Sequence, residues 1–102
     1  MVHELEEKRQ AVVQACRRFG VARMYVFGSA LRDDFRPGDS DVDLLVEFEP
    51  MNPHDLVDAY FDLLNELRSI LDAPVDLVMS DAVKNRYIAA DIERTKQVLY
   101  AA

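Results

Sequence analysis

The residues in this chain that could do chemistry are three aspartates and a Gly-Ser pair. Asp41 and Asp43 open the run DVDLLVEF. On a strand, residues two apart share a face, with Cα atoms roughly 6.5 to 7 Å apart. Like charges held there repel, and a carboxylate near a core costs on the order of several kcal/mol unless something compensates it. No Lys or Arg lies within the run to do so. A hard divalent cation such as Mg²⁺ is compensation of the right kind. It takes carboxylate oxygens, and two-metal sites hold their ions roughly 3.5 to 4 Å apart, a span that adjacent carboxylates bridge. Asp76, the lone charge in the apolar run PVDLV, is the candidate third acid. Solvated charge at a strand edge explains one such aspartate well; three on two strands favour a site.

Gly28-Ser29 follows the apolar run VARMYVF and opens a helical turn. Backbone N–H groups and a hydroxyl placed there can receive a phosphate. Ser29 alone would read equally well as a helix N-cap, and no G-x-x-x-x-G-K-[ST] loop is present. The pair gains weight from standing one short loop away from Asp41 and Asp43, where a phosphate grip and a metal grip would converge on one triphosphate.

An α/β order of elements must position these groups. Apolar Leu5, Val12, Cys16 and Phe19 recur at helical spacing over residues 3–19, with Gly20 as the stop. Residues 21–27 read as a strand, 30–35 as a short helical turn, and Arg36-Pro37-Gly38-Asp39-Ser40 as a turn into a second strand over 41–49. Asn52-Pro53 is an N-cap followed by a first-turn proline, and it predicts a long helix over 53–71. That helix carries an apolar arc, from Leu56, Tyr60, Leu63, Leu67 and Ile70 to the flanking Val57, Phe61, Leu64 and Leu71, broader than one sheet face usually covers. A buried core helix is the first reading of the arc, and a partly exposed partner surface is the second. A third strand over 74–79, a helix capped by Ser80-Asp81 and carrying Val83, Tyr87, Ile88 and Ile92, and an edge strand over 97–100 complete the order.

Composition narrows the classes. The length leaves room for a single domain, residues 1–102. A formal net charge of −7 argues against coating nucleic acid, which needs clustered Lys and Arg, so no direct nucleic-acid binding is expected. One cysteine excludes an intrachain disulfide, and Cys16 reads as a small core residue. His3 and His54 read as surface residues. No segment reads as a signal peptide or a membrane span, and a reducing cytoplasm is the expected compartment.

Gly28-Ser29, Asp41-Val42-Asp43 and Asp76 together resemble the signature of the nucleotidyltransferase superfamily whose fold includes DNA polymerase beta. The short length and the run GSALRDDFRPGDSDVDLLVEF are similar to the minimal nucleotidyltransferases, or MNT proteins, which act as antitoxins beside HEPN-domain toxins. Eleven residues separate Ser29 from Asp41, one more than in the family pattern, an insertion that the Pro37-Gly38 turn can absorb.

This resemblance implies a polymerase beta-like fold, a small mixed sheet flanked by helices. It implies that Asp41, Asp43 and Asp76 are catalytic and hold two Mg²⁺ ions, and that Gly28 and Ser29 hold the ATP phosphates. Arg32, in the first helical turn, reads either as facing the triphosphate or as a surface residue. The resemblance also implies transfer of AMP from ATP to a tyrosine of a HEPN ribonuclease toxin, which silences the toxin. The chain carries no added domain to grip an acceptor, so a partner supplies it. The broad apolar arc and the Tyr87 to Leu99 region are the candidate docking surfaces. Two other functions stay open: neutralisation of the partner by contact alone, and nucleotidyl transfer to a small molecule.

Overall fold

A computed structural model describes residues 3–28, 41–80 and 85–102; for residues 3–6 and 88 it describes the backbone alone. Helix α1 (His3–Arg18) leads into strand β1 (Val21–Phe27), followed by β2 (Val42–Phe48), α2 (Pro53–Leu71), β3 (Val75–Met79), α3 (Arg86–Thr95) and β4 (Gln97–Ala101). The short turn expected over 30–35 and the Ser80-Asp81 cap expected for the last helix fall partly or wholly outside the described residues.

Local sequence accounts for the element ends. Gly20, at a φ of +73°, takes the left-handed conformation that ends α1. The Asn52 side chain accepts a hydrogen bond from the Asp55 N–H at 2.8 Å and donates to the Asp55 carboxylate at 2.8 Å, so each residue caps the other at the start of α2. Pro53 follows at the first helical position, where its missing N–H costs nothing. At the other end Asp72, in a left-handed conformation at φ 50°, donates its N–H to the Arg68 carbonyl at 2.9 Å.

The strands form one sheet in the order β3-β2-β1-β4, with β2 and β3 parallel and the other pairs antiparallel. A parallel pair needs a crossover, and α2 supplies it. Alternation along β2 sends Val42, Leu44 and Val46 to one face, all at 2% exposure or less. There they meet Val12, Ala15 and Cys16 of α1 and Leu63, Leu64, Leu67 and Leu71 of α2. Fully burying a side chain such as Leu67 stabilises by about 1.5 to 3 kcal/mol relative to leaving it exposed. The expected mixed sheet flanked by helices is therefore the observed architecture, with both long helices on one face.

The apolar arc of α2 divides along its length. Its C-terminal half is buried, whereas Val57 and Phe61 are 55% and 56% exposed. The buried-core reading holds for the C-terminal half, and the N-terminal part of the arc is exposed.

Candidate active site

The face of the sheet opposite α1 and α2 carries the acids. Asp43, Leu45 and Glu47 alternate with the core residues of β2, and Asp76 and Val78 alternate with the core residues of β3. The parallel register pairs Asp43 with Asp76, so two carboxylates leave the same face from adjacent strands, their Cα atoms roughly 4.8 Å apart. The register is set by apolar matching on either side, Val42 with Val75 and Leu44 with Leu77. It is pinned at its first rung by the Val42 N–H donating to the Pro74 carbonyl at 2.9 Å. Asp41 stands one residue ahead of that first rung and is exposed; Asp43 is half-buried and Asp76 is exposed.

Strand β1 runs antiparallel to β2, so its end arrives at the same place. Phe27 pairs with Asp43, and Gly28 follows at a φ of +70°. A Cβ on Gly28 would overlap the Asp43 carboxylate, with the carboxyl carbon only 3.2 Å away. Glycine is needed here for its backbone conformation and for the space it leaves to an acid. The fold thus brings Gly28, Asp43 and Asp76 to one end of the sheet, with Asp41 at its rim. Ser29 and Arg32 lie outside the described residues.

The nucleotidyltransferase domain family matches residues 8–99, a span that contains every one of these positions. The chain belongs to the nucleotidyltransferase family. Among its relatives, the protein adenylyltransferase MntA of Thermococcus cleftensis is 43% identical over 68 residues. That match takes in 67% of this chain and 65% of the relative, so the chain spans a little under two thirds of that protein. A solved structure provisionally described as a minimal nucleotidyltransferase is 33% identical and superposes with a TM-score of 0.75, covering 91% of this chain and 90% of the other. The same fold recurs, at 20% identity and a TM-score of 0.64, in the complex of a tri-AMPylated Shewanella oneidensis HEPN toxin with MNT antitoxin, covering 95% of this chain and 72% of that one. The chain is thus similar in sequence to an MntA protein adenylyltransferase and in both sequence and fold to a minimal nucleotidyltransferase.

The donor set of this nucleotidyltransferase fits a hard divalent cation. Carboxylate oxygens are the ligands Mg²⁺ takes, and the Asp43–Asp76 pair concentrates two of them at one rung. Among the described residues no group of three His, Cys, Asp or Glu side chains is gathered closely enough to hold a metal ion by itself. The three-acid cage expected from sequence is therefore represented by a pair, with Asp41 one position beyond the ladder.

Sequence reasoning passed over a charged network on the same face of the nucleotidyltransferase. The Arg23 guanidinium donates to both Glu47 oxygens, at 3.1 and 3.3 Å, from the directly opposite position on β1. This hydrogen bonding, helped by the Arg23 and Lys96 charges and a hydrogen bond from Tyr25, holds the Glu47 carboxyl below its ordinary value against the opposing effect of burial. The Lys96 side chain, only 16% exposed, reaches Glu93 at 2.7 Å, and its ammonium stands 4.0 Å from the centre of the Tyr25 ring. Counting in twos back from Phe27 would have placed Tyr25 and Arg23 on the Asp43 face. Nothing local in the sequence marks Lys96.

Proposed function

We propose that this protein transfers AMP from ATP to a tyrosine hydroxyl of a HEPN-domain toxin and thereby neutralises it. The observation that carries the reading is the register pairing of Asp43 with Asp76 beside a glycine whose missing side chain makes room for the Asp43 carboxylate. Paired carboxylates suit a reaction in which charge gathers on phosphate oxygens. The homology to an adenylyltransferase narrows the transferred group to adenylyl, and the toxin complex among the fold relatives supports a HEPN protein as acceptor.

In this reading Asp41, Asp43 and Asp76 would hold two Mg²⁺ ions. Mg²⁺ bound there would supply neutralisation of the phosphate charge and a lowered pKa for the attacking hydroxyl. Asp76 accepts the tyrosine proton, and the tyrosine oxygen forms its bond to the α-phosphorus. The bond from that phosphorus to the bridging oxygen breaks, and pyrophosphate leaves with the electron pair. The missing side chain at Gly28 leaves room for the Asp43 carboxylate; Ser29 with the Gly28 amide holds the terminal phosphates, and Arg32 faces the triphosphate. Catalysis is then mostly positioning and charge compensation. Residues 1–102 act as one domain in the cytoplasm, where ATP and the toxin's RNA targets are found. Among the described residues no helix is long and apolar enough to cross a membrane.

Intact-mass analysis of a HEPN-domain toxin, after incubation with this chain, ATP and Mg²⁺, tests the proposal. A mass gain matching one or more AMP groups is expected, and none with an Asp41→Asn, Asp43→Asn chain. An unchanged mass in a stable complex would replace transfer with neutralisation by contact. Labelling of a small molecule in place of the protein would move the acceptor.

A further inference from the structure

The start of α2 and the far ends of β2 and β3 form a surface that the catalytic reading does not use. One groove of about 190 Å³ is lined by Leu56, Val57, Tyr60, Phe61 and Met79. A second, of about 290 Å³, shares Leu56 and Met79 with it and continues past Met51 toward Glu49. The two grooves are therefore one continuous channel with a methionine and a leucine at the junction. Val57 and Phe61, one helical turn apart, form a single exposed ridge along it. The ridge is braced from below: the Phe61 ring packs edge-on to Tyr60 at 5.1 Å, and the Tyr60 hydroxyl donates to the Leu77 carbonyl at 2.5 Å.

Charge decides what this channel suits. Glu49 is exposed at one end, and Asp58 and Asp62, each next in sequence to a ridge residue, are exposed along the solvent side of α2. Among the described residues neither groove is lined by a Lys or an Arg. A second copy of this chain brings a further formal charge of −7 to the same acidic margin, which disfavours self-association. A positively charged partner gains where a second copy loses.

We propose that this channel docks an amphipathic helix of the protein acceptor, with an apolar stripe set against Val57 and Phe61 and Lys or Arg residues beside Asp58, Asp62 and Glu49. Apolar residues four apart on α2 make the ridge that helix-on-helix packing uses, and methionine lining adapts to the partner's side chains. The position fits a docking role. Val46 pairs with Met79 three rungs beyond the Asp43–Asp76 pair, roughly 10 Å along the strands. The acids leave the opposite face of the sheet, so a partner seated in the channel leaves them uncovered. The proposal rests on the acceptor being a protein, as argued above.

The test uses the full chain and a HEPN-domain toxin as the protein acceptor, with binding measured by calorimetry and AMP transfer by intact mass. Phe61→Ser is expected to weaken binding about tenfold or more and to raise the KM for the acceptor with little change in kcat at saturation. Asp58→Lys with Asp62→Lys is expected to weaken binding at low salt and to flatten its salt dependence. Circular dichroism checks that each variant is folded. Unchanged affinity in a folded Phe61→Ser chain overturns the docking proposal while leaving transfer intact. Loss of binding in that variant, with no AMP added by the parent chain, upholds the surface and overturns the transfer reading. Absence of any binding by the parent chain overturns both. A concentration-dependent dimer in light scattering that Phe61→Ser dissociates assigns the channel to a second copy and overturns the proposed occupant.

Discussion

Gly28 lies against the Asp43 carboxylate: the glycine, at a φ of +70°, is so close that a single added methyl group would overlap it. The end of one strand and an acid of the next therefore share a space that a larger residue takes only by displacing the Asp43 carboxylate.

Gly28→Ala tests that relationship twice over. The left-handed conformation costs a non-glycine residue about 1 to 2 kcal/mol, which a melting curve reads as lower stability. The displaced Asp43 carboxylate costs more in function, on the order of a hundredfold in AMP transfer, because a shift of about 1 Å in a positioned group suffices for that. Transfer unchanged in the folded variant would mean that Asp43 moves freely and that its placement is not critical.

Asp76→Asn separates catalysis from folding. Asp43 and Asp76 leave adjacent strands at the same rung, and two like charges there oppose folding. Removing one is expected to leave the melting temperature unchanged or raise it, while transfer falls by about a hundredfold or more. A large drop in melting temperature would assign Asp76 a structural role instead.

The Arg23–Glu47 pair gives a pH dependence whose sign follows from its geometry. Glu47 titrates below its ordinary value of 4.5, first because Arg23 hydrogen-bonds its carboxylate. A carboxylate depressed in the folded state stabilises the fold above the unfolded value, and that stabilisation disappears as the pH falls through the lower folded value. Arg23→Gln is expected to raise the Glu47 pKa, followed by carboxyl-carbon NMR, and to shrink the stability difference between pH 7 and pH 3. An unmoved titration would show that burial and Lys96 set the Glu47 value without Arg23.

Cys16 is fully buried, with its thiol 3.8 Å from the Met24 sulfur, and burial pushes its pKa up to about 12. The thiolate is the reactive form, so the folded protein is expected to resist alkylation at pH 8 and to react with one equivalent once denatured. Rapid labelling of the native protein would reveal a local opening between α1 and β1.

Much of this protein was determined by sequence alone. The helix over 53–71 followed from Asn52-Pro53 and its apolar arc, because capping and periodicity act within a few residues of one another. The aspartates on one strand face followed from the two-residue repeat, and Gly28 from its place at the end of an apolar run. Tertiary structure alone decided the rest. Asp76 meets Asp43 because β3 adds in parallel at one register, and a slip of one residue would have turned that acid to the opposite face. Lys96 reaches Tyr25 because β4 pairs with β1, a contact between residues 71 positions apart in the chain. Val57 and Phe61 stay exposed while Leu63 and Leu67 are buried because the sheet and α1 cover only part of α2. Short-range rules state which residues could belong together on an element; which elements lie side by side depends on packing between distant parts of the chain.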